Sequence, residues 1–187
     1  MSFKDIFPFL TFILGIFFTG HIEGRKEKAR IKTLKKNVLL ELEDELSILE
    51  RSIKVTSESI YTRLMKPNNF QHISLGKRFN PILFGKKIIN DVYSHFNRDT
   101  RIALKNCLLL MNQIKEKYNY VCDNWKTDNM KCRAKEESML YSMLSLYYLL
   151  NKLKNERDRF SLPDIPNDEI VDRAAEALQV LRPLKKK

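Results

Sequence analysis

The residues whose types and spacing could do chemistry are Lys87, Asp91 and His95, which recur at i, i+4 and i+8. On a helix this spacing puts all three on one face. A carboxylate there can orient an imidazole, and the imidazole can serve as a general base near neutral pH. The same spacing is also that of an ordinary solvated surface pair, which is the reading adopted for these residues.

The search for stronger chemistry is negative. The sequence has no G-x-x-x-x-G-K, G-x-G-x-x-G, H-E-x-x-H or G-x-S-x-G, the patterns that cradle phosphates, bind zinc or expose a serine nucleophile. With 5 glycines in 187 residues there is little from which to build a phosphate loop. All-helical ribonucleases of the HEPN class carry an Arg a few residues before a His. Here the nearest Arg before His95 is Arg78 and the nearest before His72 is Arg63, so that pattern is missing. His21, His72 and His95 are scattered and pair with no cysteine at a ligand spacing. Cys107, Cys122 and Cys132 are odd in number and lack a C-x-x-C, so they form no disulfide framework, in keeping with a reducing compartment. Cys107 lies on an apolar helical stripe and reads as a small core hydrophobe. Catalytic, cofactor and metal residues are therefore none, and a non-enzymatic protein is expected.

The elements around these residues say more. Residues 6–22, from Ile6 to Ile22, contain no Lys, Arg, Asp or Glu. At helical rise they reach roughly 25 Å, near the lower limit for crossing a bilayer. Ile6, Phe9, Phe12, Ile13, Ile16 and Phe17 would face lipid, and Thr11, Gly15 and Thr19, four residues apart, would form a small-residue face for a second helix. Lys4 is cancelled by Asp5, and Phe18-Thr19-Gly20 is a poor cleavage site, which disfavours a signal peptide. The apolar-all-round pattern disfavours a mitochondrial presequence. A buried core helix is the remaining rival. Against it, Arg25, Lys26, Lys28, Arg30, Lys32, Lys35 and Lys36 follow at once, opposed only by Glu27. A basic collar directly behind an apolar run is the positive-inside signature, so residues 1–24 read as an anchor with the N-terminus outside and the C-terminus in the cytoplasm. The chain's net charge is +11, and its largest local excess is this collar, which can hold anionic lipid headgroups at about 1 kcal/mol per residue.

Beyond the collar, few Gly or Pro and 30% charged residues predict an all-α chain. A long helical pattern runs to Met65. Leu39, Leu42, Leu46, Leu49, Ile53, Thr56 and Ile60 step by 3 and 4, a coiled-coil-like seam of about three heptads. It is expected to be covered by this chain's own later helices, mainly the third and fourth. Asn80-Pro81 reads as the start of a helix reaching to residue 96. Phe70, Phe79 and Phe84 interleave with Lys77, Arg78, Lys86 and Lys87. Such interleaving can stack on nucleic acid, but closure of the bundle is preferred and nucleic acid is not expected as a partner. A third helix, with Asn97 as cap, spans 98–125. A fourth spans 131–160; its stretch 139–150 is apolar almost all round and should be the central element. Asn167 is read as the cap of a last short helix ending at Arg182-Pro183, with a basic tail behind it.

The chain is thus expected to be an N-terminal transmembrane helix (1–24), a collar (25–36), a cytosolic bundle of four to five helices (37–160) and a C-terminal linker, helix and tail (161–187). Its expected role is a single-pass, membrane-anchored interaction or scaffold protein, set in a bacterial inner membrane by its poor Gly content and lack of trafficking motifs. Its partners would be the anionic bilayer and a protein or a second copy of itself. An accessory or membrane-perturbing effector of a defence or toxin system is the first alternative, and a membrane-tethered nuclease or nucleic-acid binder the second.

Overall fold

The computed structural model describes residues 3–65 and 87–183, with side chains from Phe18 in the first stretch and from Ile89 in the second. The described residues form α1 (Phe3–Met65), α2 (Lys87–Tyr93), α3 (Arg98–Asn124), α4 (Asn129–Glu156) and α5 (Asn167–Leu178), with one 3-10 turn (Arg157–Arg159) behind α4 and no strand.

The 63 residues of α1 form one unbroken helix, about 95 Å long at helical rise. The sequence divides into an uncharged run, a collar and a seam, but the backbone joins all three. With no Gly or Pro between 25 and 66, nothing in the collar ends the helix. Every residue from Phe18 to Arg30 is exposed, and the first buried one is Val38. Among the described residues, the segment from Phe18 to Arg30 therefore stands clear of the bundle as an exposed stalk. Among the described residues no helix is long and apolar enough to cross a membrane. The predicted lipid-facing side chains of Ile6, Phe9, Phe12, Ile13, Ile16 and Phe17, and the small face of Thr11 and Gly15, lie outside the described residues. Thr19 is exposed on the stalk.

α4 is the centre of the bundle. Leu140, Leu144, Leu146 and Leu150 are all fully buried, as the apolar stretch 139–150 predicts. α1 runs antiparallel to α4: Arg63 meets Glu136 near the start of α4, Thr56 meets Met143, and Lys35 meets Asp158 beyond its end. α3 also packs antiparallel to α4, on another side, and Lys117 Nζ donates to the Ser138 carbonyl at 2.9 Å and to Ser142 Oγ at 2.7 Å. α5 lies along α4, where the Tyr141 hydroxyl donates to Asp168 Oδ1 at 2.9 Å.

Four local expectations are corrected. The seam begins at buried Val38, while Leu39 is only half-buried; α4 covers the seam, with α2 at its near end, and α3 packs chiefly on α4 rather than on α1. A third seam-bearing helix can share α4's wide apolar surface, so it need not reach α1. α2 ends at Tyr93, and the following turn carries His95, so Asp91 and His95 do not share a helical face as their spacing suggested. Residues 66–86, with Asn80-Pro81 and the basic–aromatic stretch, lie outside the described residues. At α5, Pro166 is the residue before the first turn, and Asn167 is inside the helix, with Nδ2 donating to the Tyr141 hydroxyl at 2.9 Å. That helix stops at Leu178 because Gln179 takes a left-handed conformation (φ 53°) and its N–H closes back on Ala175 and Glu176.

Asn97 and Asp128 cap α3 and α4. Asn97 Oδ1 accepts from the Thr100 N–H at 2.7 Å, and its Nδ2 donates to the carbonyls of Asp158 at 3.3 Å and Phe160 at 3.0 Å. Asp128 accepts from the Lys131 N–H at 2.9 Å. Asp128→Ala should lower stability by about 1 kcal/mol. Asn97→Ala should cost about 2 kcal/mol, because it also frees the two carbonyls that tie the end of α4 to the start of α3. Urea unfolding of both variants side by side checks the order.

Candidate functional site

α1 enters the bundle between the start of α3 and the end of α4, and a groove opens there. Its floor is Val38, Leu39, Leu42, Leu104 and Leu153, flanked by Phe96, and its volume is about 720 Å³. That is within the roughly 300–1,000 Å³ of sites that bury a small molecule.

The rim is cationic. Lys28, Lys32 and Lys36 follow one another at i, i+4 along α1, and Arg157 stands at the end of α4. The side chains of these four make no hydrogen bond or ion pair with another described residue. The two acids at the groove are both offset. Lys35 Nζ donates to Asp158 Oδ1 at 2.7 Å while lying 5.4 Å over the Phe96 ring, and Lys154 lies 3.5 Å from Glu43. Arg157 adopts φ 53° and ψ −123°. A residue with a Cβ in that region carries about 1–3 kcal/mol of backbone strain, which tends to collect at functional sites. Its N–H meanwhile ends α4 by donating to the Leu153 carbonyl.

The rest of the collar stays on the stalk. Arg25 and Lys26 are exposed and free of a described partner. Arg30 Nε donates to Glu27 Oε2 at 3.0 Å, and this exposed pair raises the guanidinium pKa. It also neutralises the only acid of the collar, so the remaining charge is positive.

A second polar arrangement lies at the far end of the bundle and is buried. Arg63 Nε donates to Glu136 Oε2 at 2.9 Å and its Nη2 donates to Oε1 at 3.2 Å, with both side chains almost wholly enclosed. Ser59 Oγ donates to Glu136 Oε1 at 2.9 Å, and Arg63 Nη1 donates to Asn129 Oδ1 at 3.1 Å. Burial pushes the Glu136 carboxyl above its usual range, and Arg63 and Ser59 pull it back only in part. The pair has no described cavity beside it and reads as a fixed core linkage between α1 and α4. Sequence reasoning missed it, although the signal was present: Arg63 is one seam step past Ile60, and Glu136 is one step before Met139 on the stripe Met139, Met143, Leu146, Leu150, Leu153. Opposite charges at the extended positions of two facing seams announce a buried pair.

The other sequence candidates are dispersed. Asp91 and His95 are exposed, and no hydrogen bond joins them; the side chain of Lys87 lies outside the described residues. Cys107 and Cys132 are buried, and burial pushes both thiols up, away from the reactive thiolate. Among the described residues no three His, Cys, Asp or Glu converge as a metal site. Leu42, Leu46, Leu49, Ile53 and Ile60 are buried in the core. On α3, Leu108 and Leu109 are exposed, and Leu109 lines a smaller cleft of about 470 Å³ between α3, α4 and the start of α5. No family model, curated protein or solved structure matches the chain.

Proposed function

We propose that the chain is a single-pass, membrane-anchored and non-enzymatic interaction protein. In this reading residues 6–22 sit in the bilayer, and α1 carries the bundle at the cytoplasmic face, where it recruits a partner. The observation that supports it is the continuity of α1 together with the exposure of Phe18 to Arg30. A straight helix holds Ile22 about 24 Å from Val38, the first buried residue, at 1.5 Å per residue. The described core therefore begins well away from the uncharged run, and in this reading the apolar surface of that run is covered from outside the described bundle. The basic collar behind it favours lipid as that cover and the cytoplasm as the side of the bundle. The exposed leucines of α3, beside their cleft, offer a surface for a protein partner.

Membrane fractionation tests the reading. The full chain should stay with the pellet after a carbonate wash, and a reporter fused after Lys187 should signal cytoplasm. A variant lacking 6–22 should move to the supernatant with its helical content otherwise intact. Release of the full chain by carbonate contradicts the anchor.

A further inference from the structure

We propose that the groove at the entry of α1 binds one anionic phospholipid drawn from the adjoining leaflet. The headgroup phosphate sits against Lys32, Lys36 and Arg157, and one acyl chain lies along Leu39, Leu42 and Leu104. The proposal rests on the anchored reading above, which sets the groove beside the headgroups.

Three independent features converge on this occupant. The floor is apolar, so it suits a hydrocarbon chain rather than a sugar or a nucleotide base. The rim is cationic and its two acids are already offset by Lys35 and Lys154, so a positive field remains for an anion. The strained Arg157 stands at the meeting of floor and rim, just past the end of α4, where the backbone bears an unfavourable conformation in a residue that lines the groove. A molecule that is both apolar and anionic satisfies the floor and the rim together. Along α1 the rim begins at Lys28, about 9 Å beyond Ile22 at helical rise, and the phosphate position at Lys32 and Lys36 is about 15–21 Å beyond it, so the bound lipid is lifted clear of the leaflet with its acyl chain sheltered in the groove. Arg is suited to a phosphate because its planar fork donates two parallel hydrogen bonds.

The test is native mass spectrometry of the full chain in neutral detergent, titrated with phosphatidylglycerol and, separately, with phosphatidylcholine of the same chains. The expected result is one retained phosphatidylglycerol and little phosphatidylcholine. Lys32→Gln with Lys36→Gln should weaken the anionic lipid about thirtyfold, the worth of two basic residues at an anionic surface. Leu39→Gln, which touches only the half-buried floor, should weaken it as well. Arg157→Gly should also weaken it while raising the melting temperature, because the glycine relieves the backbone; a residue with a purely structural role would not lose lipid as the fold gained stability. Equal retention of the two lipids overturns the proposal. So does full retention by Leu39→Gln, which would mean adsorption to the rim alone, and so does displacement of the lipid by glycerol phosphate, which would mean a simple anion site. Because the lipid is supplied in detergent, this readout stands even if carbonate releases the chain from membranes, and the two failures are distinguishable.

Discussion

Arg63→Ala should cost the fold about 3–5 kcal/mol, the usual penalty for leaving one member of a buried ion pair without its partner. The stranded group is Glu136, 1% exposed and left with Ser59 as its one remaining donor among the four-residue cluster. Glu136→Gln should cost far less than Glu136→Ala, since the amide keeps the shape and the bond from Ser59, and replacing both charges together by Arg63→Met and Glu136→Leu should recover most of the loss. The pH dependence has a definite sign. Burial raises the native-state pKa of Glu136 above the ordinary carboxylate range, so between those two values the native state binds more protons than the unfolded chain. The contribution of this residue is therefore fully present at low pH and is lost as pH rises through the raised value. Relative to Glu136→Gln, the wild type should gain stability as pH is lowered through that window. Thermal unfolding of the five proteins, repeated at several pH values, checks both the ranking and the sign.

The second large effect concerns the central helix. Leu146 and Leu150 are each 0% exposed and lie among side chains from α4 and its neighbours. Leu146→Asp or Leu150→Asp places an unpaired carboxylate where nothing can solvate it. The cost is several kcal/mol from the charge together with about 2–5 kcal/mol from the lost aliphatic contact. A domain of this size has about 5–15 kcal/mol in total, so either variant should lose its cooperative melting transition. Leu109→Asp, on the exposed face of α3, is the matched control and should melt as the wild type does. A Leu150→Asp protein with an unchanged melting curve would mean that α4 is not the centre of the core.

The helices were legible where a long period left one solution. The stripe from Leu42 to Ile60 and the nearly all-apolar run 139–150 define α1 and α4, and the cap at Asn97 follows from the residue type in front of a periodic segment. What the sequence hid were choices that depend on a neighbour. Val38 and Leu39 are equally apolar, and only the approach of α2 and α4 decides that Val38 is buried while Leu39 stays half-exposed. Asn167 is as good a cap as Asn97, but Tyr141 on α4 engages its side chain instead. His95 keeps i, i+4 spacing from Asp91 on paper, and the turn after Tyr93 removes it from the helix. The candidate groove was half legible. The collar lysines announce a lipid-facing surface, but the floor they overlook is completed by Leu104 of α3 and Leu153 of α4, more than sixty residues away in sequence, and Arg157 carries no local signal of its strained backbone.

The central claim is that the apolar head of α1 lies in lipid while its collar lies outside, and fluorescence quenching by lipids brominated on the acyl chain reads this directly. The protein has 1 tryptophan, Trp125, so Trp125→Phe gives a dark background into which an indole is introduced either by Phe12→Trp or by Ala29→Trp, the latter at an exposed position of the collar away from the groove. In bilayers of brominated lipid the Phe12→Trp indole should be strongly quenched, with a blue-shifted emission, and the Ala29→Trp indole should keep its intensity and emit as a water-facing group. Equal intensity of the Phe12→Trp protein in brominated and unbrominated bilayers would contradict the membrane-anchored reading.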